Sequence, residues 1–382
     1  MGAIGRSVKQ PGGFQAFVPE AFPPTPLPAL DDQGLGLLER ATVLLGRLDG
    51  ITEFLPDVDF FIFMYVVKEA ALSSQLEGTQ ATMIDAIKAE ASLREGLPDD
   101  VDDITRYIRA MNYGLSRLTE FPLSIRLIRM VHQELLAGAR ASGQVTPGEV
   151  RTTQNWIGGG SPSTARFVPP PPHLIPSCLS ELEKFLHSED QSSKILKAGL
   201  AHAQFETLHP FADGNGRTGR LLITFYLCQQ GILNRPVLYL SEYFKRNRVV
   251  YFDSLHAYHE SNSVLAWLKF FFEGVAEVAE QAISICKQIT SLRERDMRRI
   301  SLMGRAAPNG EVALRHLFKS PIISVRNIEE AAGLSRTNAN KLVAKLVSAE
   351  ILVQSDTTVE YGRTFVYQDY LRAFSERPVQ EN

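Results

Sequence analysis

The chain has 382 residues, of which 44% are hydrophobic and 22% are charged. These fractions are ordinary for soluble globular proteins, so wholesale disorder, collagen-like repeats and coiled-coil arrays are excluded, and the length excludes one small domain. The formal net charge of -3 gives no overall field that would attract nucleic acid or an anionic membrane, but it does not exclude a local basic patch.

The cysteines and the N-terminal residues predict a cytoplasmic protein. Cys178, Cys228 and Cys286 lie far apart and form no CxxC pair, so we expect neither a zinc ribbon nor a disulfide framework. No apolar signal-peptide run is visible at the start, and Arg6 stands where a myristoylation signal requires Ser or Thr. The longest apolar stretch, residues 60–67, is too short to cross a bilayer, so no membrane partner is expected.

Helical periodicity covers most of the chain after its first residues. Residues 1–30 are rich in glycine and proline and predict an extended arm rather than a helix. From Leu35 to about Leu136, apolar residues recur at spacings of three and four, which predicts several successive helices. The same period returns at 174–233 and at 248–299. The middle of the chain is therefore expected to be almost entirely α-helical.

The helical pattern breaks between residues 143 and 172. A glycine turn at 158–160 separates two short segments, 155–157 and 165–168, which contain aromatic and aliphatic residues. Short apolar runs on both sides of a glycine-rich turn are typical of a β-hairpin. We therefore predict a hairpin over residues 156–168.

The end of the chain has a different pattern. Segments 324–328 and 337–351 predict two helices, and a tight turn at 331–335 joins them. Two strand-like pieces, at 353–354 and 364–367, follow the second helix. This order of elements resembles a winged helix.

The most informative segment is residues 209–220, which combine a base, an acid, glycines and arginines. Residues 214–219 satisfy GxGxxG, the dinucleotide-binding pattern, but that pattern requires a strand immediately before it. Here residues 195–208 have helical spacing and Pro210 interrupts them. The glycines are therefore expected in a loop between two helices, which disfavours a Rossmann fold.

The glycines and arginines of this segment suit phosphate binding. Gly214, Asn215 and Gly216 allow backbone N–H groups to converge at the start of a helix that begins near Arg217, which creates an anion site. Arg217 and Arg220 lie three residues apart on the first turn, so both guanidinium groups can reach the same polyphosphate.

Two more side chains complete a set suited to phosphoryl or nucleotidyl transfer. Asp213 offers Mg²⁺ one hard carboxylate ligand, and this ion keeps waters and phosphate oxygens as its other ligands. His209 can accept a proton near neutral pH, as a general base for a hydroxyl nucleophile must. Each residue alone is explained more simply as a cap, a turn or a solvated charge, but their combination within one short segment favours the chemistry.

Residues 209–220 resemble the signature of the Fic family, His-x-Phe-x-Asp/Glu-Gly-Asn-Gly-Arg-x-x-Arg, with every fixed position matched. The resemblance implies a core of mostly antiparallel helices that transfers AMP from ATP to a Tyr, Thr or Ser hydroxyl of a target protein, itself included. Members that phosphorylate instead depart from the pattern in the glycines or the last arginine. This chain does not depart there, so AMP transfer is favoured.

The resemblance also implies a role for each position. His209 would be the base and Asp213 the Mg²⁺ ligand. Asn215 and the neighbouring amides would hold the α-phosphate of ATP, while Arg217 and Arg220 would hold the β- and γ-phosphates. The other nucleotide-binding positions of the loop are Gly214, Gly216, Thr218 and Gly219.

Residues 73–78, Ser-Ser-Gln-Leu-Glu-Gly, resemble the inhibitory motif of the family, Ser/Thr-x-x-x-Glu-Gly/Asn. The resemblance implies that Ser73, Glu77 and Gly78 form the inhibitory element and that Glu77 pairs with Arg220. A guanidinium held by a carboxylate cannot also clamp a γ-phosphate, so ATP would bind in an unproductive pose. The simpler alternative is that Glu77 is an exposed helical acid followed by a glycine cap.

Two further positions follow from the resemblance. The 156–168 hairpin occupies the position of the family's flap, which is thought to pair with an extended target segment by strand addition. A surface hairpin without a partner is the alternative. A segment like 248–252 lines the adenine site in relatives, and we assign Tyr251 to that role, although most aromatic residues in helices belong to the core.

We therefore expect a mainly α fold in three regions. Residues 1–110 would form the N-terminal arm and a helical region with the inhibitory motif, and residues 111–300 the Fic catalytic core with its flap. Residues 301–382 would form a winged-helix domain, which begins near a loop at 306–310. The oligomeric state is not visible in the sequence, and a homodimer is left open.

The last region supports an alternative function. Its second predicted helix carries polar and basic residues that can contact phosphates and base edges: Arg336, Asn338, Asn340, Lys341 and Lys345. The alternative is a DNA-binding regulator whose Fic core only senses nucleotide, and an enzyme that removes AMP is a third reading. The intact His209 and arginines argue against a core without catalytic activity.

Overall fold

The fold is mainly helical, as predicted. A computed structural model of the chain describes residues 4–53, 55, 58–90, 96–138, 146–190, 192–356, 358 and 362–374. Helices dominate these residues, and two small antiparallel sheets lie near the two ends of the chain. Within the described part, no helix is both long enough and apolar enough to cross a membrane.

The N-terminal arm contains a hairpin that the sequence did not predict. Strands β1 (Gly5–Lys9) and β2 (Gln15–Pro19) pair antiparallel, and Gly13 between them adopts a φ of 82°, which glycine reaches without strain. The N–H of Phe17 donates to the carbonyl of Val168 at 2.9 Å. The arm is therefore non-helical, as expected, and β2 lies against the end of the 156–168 segment.

Five helices confirm the periodicity predicted for residues 35–136. They are α1 (Asp32–Thr52), α2 (Val58–Leu76), α3 (Met83–Glu90), α4 (Val101–Leu118) and α5 (Ile125–Leu136). Three of them have a side-chain cap: Asp31 accepts from the Gly34 N–H at 2.9 Å, Thr82 from the Asp85 N–H at 3.3 Å, and Ser124 from the Leu127 N–H at 3.3 Å. Such caps satisfy N–H groups that the first helical turn leaves unpaired.

Six helices form the middle of the chain. They are α6 (Ile175–His187), α7 (Lys194–Leu208), α8 (Asn215–Gln229), α9 (Ser241–Arg246), α10 (Arg248–Glu260) and α11 (Val264–Ser301). Helices α7 and α8 are buried along almost their whole length and pack against each other, while α11 runs along α1. The short loop between α7 and α8 therefore lies beside the centre of the core.

The C-terminal region contains the predicted helix-turn-helix and strand pair. Its elements are α12 (Ala307–Lys319), β3 (Ile322–Ser324), α13 (Val325–Ala332), α14 (Arg336–Ser348), β4 (Val353–Gln354), β5 (Thr364–Val366) and α15 (Gln368–Phe374). The strands form one antiparallel sheet in the order β3-β5-β4. The loop predicted at 306–310 is wrong because α12 begins at Ala307. Pro308 occupies its first turn, where a missing N–H costs nothing.

The C-terminal region is attached to α11 and α2. Asp296 of α11 is fully buried and accepts hydrogen bonds from the Tyr367 hydroxyl at 2.7 Å and from Arg295 Nε at 2.8 Å. The ring of Phe374 lies 5.9 Å from that of Tyr65 and 6.2 Å from that of Phe61, both in α2. One end of α2 thus packs against the C-terminal region.

The contact between α4 and α8 predicts the effect of a glycine substitution. A Cβ atom on Gly114 would lie 2.3 Å from the Phe225 ring, whereas one on Gly46 in α1 would meet nothing within 4 Å. We expect Gly114→Ala to lower the free energy of unfolding by about 1–3 kcal/mol because the core must shift. Gly46→Ala is the control and should raise it by up to about 1 kcal/mol. Urea denaturation of both variants measures the difference, and equal effects would contradict this description of the packing.

Candidate active site

The loop after α7 begins with a residue in an unusual backbone conformation. His209 ends α7 with φ 45° and ψ 58°, in the left-handed region that few residues other than glycine occupy. Its N–H still bonds to the Phe205 carbonyl at 3.0 Å. The imidazole side chain is 22% exposed, so most of it is enclosed while an edge remains accessible.

Two side chains that the sequence analysis missed hold this turn. Arg151 Nε donates to the His209 carbonyl at 2.9 Å, and the Arg151 N–H donates to the Pro210 carbonyl at 2.9 Å. Asn155 Nδ2 donates to the carbonyls of His209 at 3.1 Å and Phe211 at 3.2 Å. Burial lowers the pKa of Arg151 to about 10. No local motif marks these residues, since they lie more than fifty positions before the turn.

Asn215 closes the loop from its other end. Its Oδ1 accepts from the Phe211 N–H at 2.8 Å, and its Nδ2 donates to the Phe211 carbonyl at 2.8 Å. Gly214 precedes the helix with a φ of 75°, and the Thr218 hydroxyl donates to its carbonyl at 2.8 Å. The side chains of Asn215 and Thr218 therefore shape the loop, and the main-chain N–H groups of the first turn of α8 remain the donors for an anion.

His132 of α5 supports the acidic residue of the loop and was also missed. Its Nδ1 accepts from the Gly148 N–H at 2.8 Å, so its Nε2, 2.9 Å from the Asp213 carbonyl, is the donor there. The ring stacks on Phe211 with centroids 3.7 Å apart. Burial lowers the pKa of His132 to about 4, which keeps it neutral and consistent with this pairing.

Arg217 and Asp213 lie close together where the loop meets the first turn of α8. Arg217 is 8% exposed, its Nε has no hydrogen-bond partner among the described residues, and its Nη2 lies 4.0 Å from Asp213 Oδ2. The Asp213 side chain is 60% exposed. The described part of the chain holds no cluster of three His, Cys, Asp or Glu side chains suited to a metal. A single accessible carboxylate fits Mg²⁺, which takes its other ligands from water and phosphate.

The structure brings Ser73 and Glu77 at the end of α2 to Arg220 of α8. Arg220 is 4% exposed, and its Nη2 donates to Glu77 Oε1 at 2.8 Å. Ser73 receives two more bonds, from Arg220 Nε to its hydroxyl at 2.7 Å and from Nη2 to its carbonyl at 2.9 Å. The guanidinium is therefore held by two residues, with the carboxylate making one of three bonds rather than a bidentate pair.

The Glu77 carboxylate lies against the first turn of α8. A Cβ atom on Gly216 would be 2.3 Å from Glu77 Oε1, so only glycine leaves room for the carboxylate there. Burial by itself would raise the pKa of Glu77, but Arg220, Arg217 and His209 together lower it below its usual value. Burial lowers the pKa of Arg220 and the Glu77 carboxylate raises it, and the net effect is a raised pKa. The pair is therefore ionised at neutral pH, and negative charge occupies the N-terminal end of the helix.

Helix α2 is fixed by a buried carboxyl group on the same face. Glu69 Oε1 accepts from the Ser241 hydroxyl at 2.5 Å and from the Tyr107 hydroxyl at 3.1 Å. Burial raises the pKa of Glu69 to about 7, against the opposing effect of these donors. Because Glu69 and Ser73 are one turn apart, these bonds set the position from which Glu77 reaches α8. After α2, Gly78 turns the chain with a φ of 108°.

Tyr251 of α10 lies behind the loop and in the interior. Its ring stacks on Phe244 with centroids 4.3 Å apart, and its hydroxyl is 2.9 Å from His202 Nε2. His202 Nδ1 in turn lies 2.9 Å from the Gly219 carbonyl. Tyr251 is 1% exposed. Its assignment to the adenine site remains a prediction.

The 156–168 segment is a narrow hairpin with a single bridge. Ile157 and Phe167 exchange main-chain hydrogen bonds of 2.8 and 3.1 Å, and no longer strand pairing extends from them within the described residues. Gly158 and Gly159 both have positive φ, as the predicted glycine turn requires. Trp156 is 40% exposed. The role of this hairpin in binding a target remains a prediction.

Comparison with known proteins relates this site to a family. Residues 35–116 match the model "Fic/DOC family N-terminal", and residues 122–227 match the model "Fic/DOC family". A probable protein adenylyltransferase of Aquifex aeolicus is 36% identical over 101 residues, which cover 26% of this chain and 29% of that protein. Protein adenylyltransferase fic-1 of Caenorhabditis elegans is 30% identical over 194 residues, 50% of this chain and 34% of that protein. The matches thus span about a third of these curated relatives.

Solved structures share the fold. A Fic family protein from Desulfovibrio desulfuricans G20 superimposes with a TM-score of 0.59 at 16% identity, covering 89% of this chain and 97% of that one. A Fic domain containing signaling protein from Bacteroides thetaiotaomicron gives a TM-score of 0.51 at 19% identity, covering 64% and 97%. The two family matches enclose the loop between α7 and α8 and the helix that precedes Glu77, and over residues 35–116 and 122–227 this chain is a Fic/DOC family protein.

Proposed function

We propose that this protein transfers AMP from ATP to a Tyr, Thr or Ser hydroxyl of a target protein, itself included. The observation that carries the proposal is that an imidazole and two guanidinium groups lie near the same carboxylate. Glu77 accepts a hydrogen bond from Arg220 and interacts electrostatically with Arg217 and His209, so all three lie near its carboxylate at the start of α8. The names of the relatives, which are protein adenylyltransferases, support this reading.

The proposed transfer assigns a role to each of these groups. His209 takes the proton of the target hydroxyl, the freed oxygen bonds to the α-phosphorus of ATP, and the bond from that phosphorus to the bridging oxygen breaks to release pyrophosphate. Burial lowers the pKa of His209 to about 4, partly offset by Glu77, so the imidazole is unprotonated at neutral pH and free to accept a proton.

The cationic side chains and the loop would bind the triphosphate. Arg217 Nε has no partner in the described part of the chain, and Arg220 is buried on the same helix, so both suit the β- and γ-phosphates. The first N–H groups of α8 suit the α-phosphate. Asp213 would hold Mg²⁺, which when bound offsets the negative charge of the phosphates and of the pyrophosphate that leaves.

We further propose that Glu77 restrains this activity. Its carboxylate fills the space beside Gly216 and engages Arg220, which is where a phosphate oxygen would otherwise bind. A phosphate must displace the carboxylate or bind elsewhere, so productive ATP binding competes with an ion pair already in place. The Ser73 contacts keep Arg220 in position during this competition.

Removing the carboxylate tests the restraint. We expect Glu77→Gly to raise the rate of AMP incorporation from labelled ATP and Mg²⁺ by about 10- to 1000-fold, since each factor of ten corresponds to about 1.4 kcal/mol of barrier. Glu120→Gly, at an exposed position after α4, is the control and should leave the rate unchanged. Equal rates in wild type and Glu77→Gly would remove the regulatory proposal.

Replacing the base tests the chemistry. Asparagine tolerates the left-handed backbone of His209 but cannot act as a base at neutral pH, so His209→Asn should preserve the turn. In the Glu77→Gly background we expect transfer to fall about 10²- to 10⁴-fold, the usual share of general base catalysis. ATP affinity, measured by calorimetry, should change little. Transfer that survives this substitution would contradict the role of His209.

The hairpin at 156–168 is proposed to bind the target. It lies at the same end of the core as the loop, because Asn155 beside it donates to the carbonyls of His209 and Phe211. An extended target segment paired with this hairpin would bring its hydroxyl group near His209.

A second function, DNA binding, is favoured by the surface of α14. We interpret α12, α13, α14 and the β3-β5-β4 sheet as a winged helix, in which α14 would enter the major groove. Arg336, Lys341 and Lys345 of α14 are exposed, and the helix contains no acidic residue. This local positive charge contrasts with the net charge of the whole chain.

Charge reversal on α14 tests DNA binding. We expect a labelled random duplex to bind with an affinity that falls steeply with salt, because contacts with phosphates release counterions. The double substitution Lys341→Glu and Lys345→Glu should weaken binding at least about tenfold. Lys184→Glu, on exposed α6 surface, is the matched control. Fluorescence anisotropy that shows no binding, or no difference between these variants, would rule out this surface.

A further inference from the structure

A second acidic side chain faces the imidazole from within the core. Glu206 lies on α7, one turn before His209, and its Oε2 is 4.0 Å from His209 Nδ1. Glu206 is 8% exposed. Its Oε1 and the Nδ1 of His209 are both buried and have no hydrogen-bond partner among the described residues. Two side chains that approach to 4.0 Å and each carry a buried polar atom without a partner require an explanation.

The carboxyl group of Glu206 is confined between α7 and α8. A Cβ atom on Gly219 would lie 2.5 Å from Glu206 Oε1, so the carboxyl rests directly on the backbone of α8 and the glycine makes room for it. The side chain therefore cannot retreat in that direction. Its Oε2 remains on the side of His209 Nδ1.

We propose that Glu206 is a positioning residue, which orients His209 through Nδ1 and stabilises the imidazolium that forms when Nε2 takes a proton. The proposal rests on the transfer function described above. A separation of 4.0 Å is longer than a hydrogen bond, but such contacts in ligand-free sites often tighten when substrate binds. With the proton of the neutral ring on Nδ1, facing Glu206, the lone pair of Nε2 is available to the target hydroxyl.

The proposed step moves one proton and exchanges one bond at phosphorus. The hydroxyl proton moves to Nε2 while the oxygen forms its bond to the α-phosphorus, and pyrophosphate leaves with the electron pair of the broken bond. The ring is then positively charged, with a proton on each nitrogen. An ionised Glu206 beside Nδ1 favours this charged form, because opposite charges attract strongly where water is excluded. The carboxylate itself gains no proton.

The ionisation of Glu206 gives the proposal a pH dependence. The groups that face it are Arg220 on α8, Glu77 on α2, Tyr251 on α10 and, on its own helix, His202 and His209. Burial raises the pKa of Glu206 to about 7, Arg220 opposes that rise and Glu77 adds to it. The supporting charge is therefore present above this pKa and is lost as the pH falls through it. Removing Glu77 moves that loss to lower pH.

The test uses the full chain in the Glu77→Gly background and measures incorporation of labelled AMP into the protein itself from pH 5 to 9. We expect the rate to fall on the acid side, somewhat below pH 7. Glu206→Gln keeps the shape but not the charge, and should lower the rate at pH 8 by about 10- to 100-fold with little change in the KM for ATP. It should also remove the acid-side fall, and Glu206→Asp should restore part of both.

Glu69→Gln is the matched control, because Glu69 is also buried with a pKa raised to about 7 but is held by Tyr107 and Ser241. It should retain the acid-side fall. Unchanged rate and pH profile in Glu206→Gln would overturn the proposal while Glu77→Gly and His209→Asn still support AMP transfer. No transfer in Glu77→Gly would overturn both.

A measurement that needs no activity gives independent support. Nitrogen chemical shifts of ¹⁵N-labelled His209 report which ring nitrogen carries the proton. We expect the proton on Nδ1 in the Glu77→Gly protein at pH 8, and a proton on Nε2 would overturn the proposal. This measurement and the pH profile of Glu77→Gly alone decide the matter even if Glu206→Gln does not fold.

Discussion

The site depends on a sharp turn whose carbonyl groups are held from outside. His209 ends α7 in a left-handed conformation that its own side chain does not favour, and the next residues reverse direction to start α8. Arg151 and Asn155 donate to the carbonyls along this turn, and Asn215 closes it from within. These bonds offset the strain of the turn, so a base and a helix N-terminus can face the same point.

A second constraint is that the Arg220 guanidinium is held in place by fixed partners. It is buried, and Ser73 binds the Nε and Nη2 atoms that an isolated surface arginine would leave to water. In the proposed function, Glu77 and a triphosphate compete for this cation. The proposed competition needs α2 in a fixed position, and Glu69, one turn before Ser73, is buried and bonded to α4 and α9.

Local pattern predicted the helices and the loop, because helical periodicity and the spacing within 209–220 are properties of short segments. It failed where the deciding partner is distant in sequence. Arg151 and His132 contact the loop from positions that no motif marks, and Pro308 was read as a loop residue although it opens α12. The hairpin of β1 and β2 was missed since proline and glycine conceal a short strand pair. Glu206 lies next to the signature but outside it.

Phe374 of α15 packs on Phe61 and Tyr65, so α2 connects the C-terminal region with the loop between α7 and α8. Glu77 lies 16 positions after Phe61, a span of about 24 Å at 1.5 Å per helical residue. A shortened chain without α15 would lose apolar cover at the far end of the helix that delivers Glu77. We therefore expect such a truncation to change the position of Glu77, so rates measured on it would not apply to the full chain.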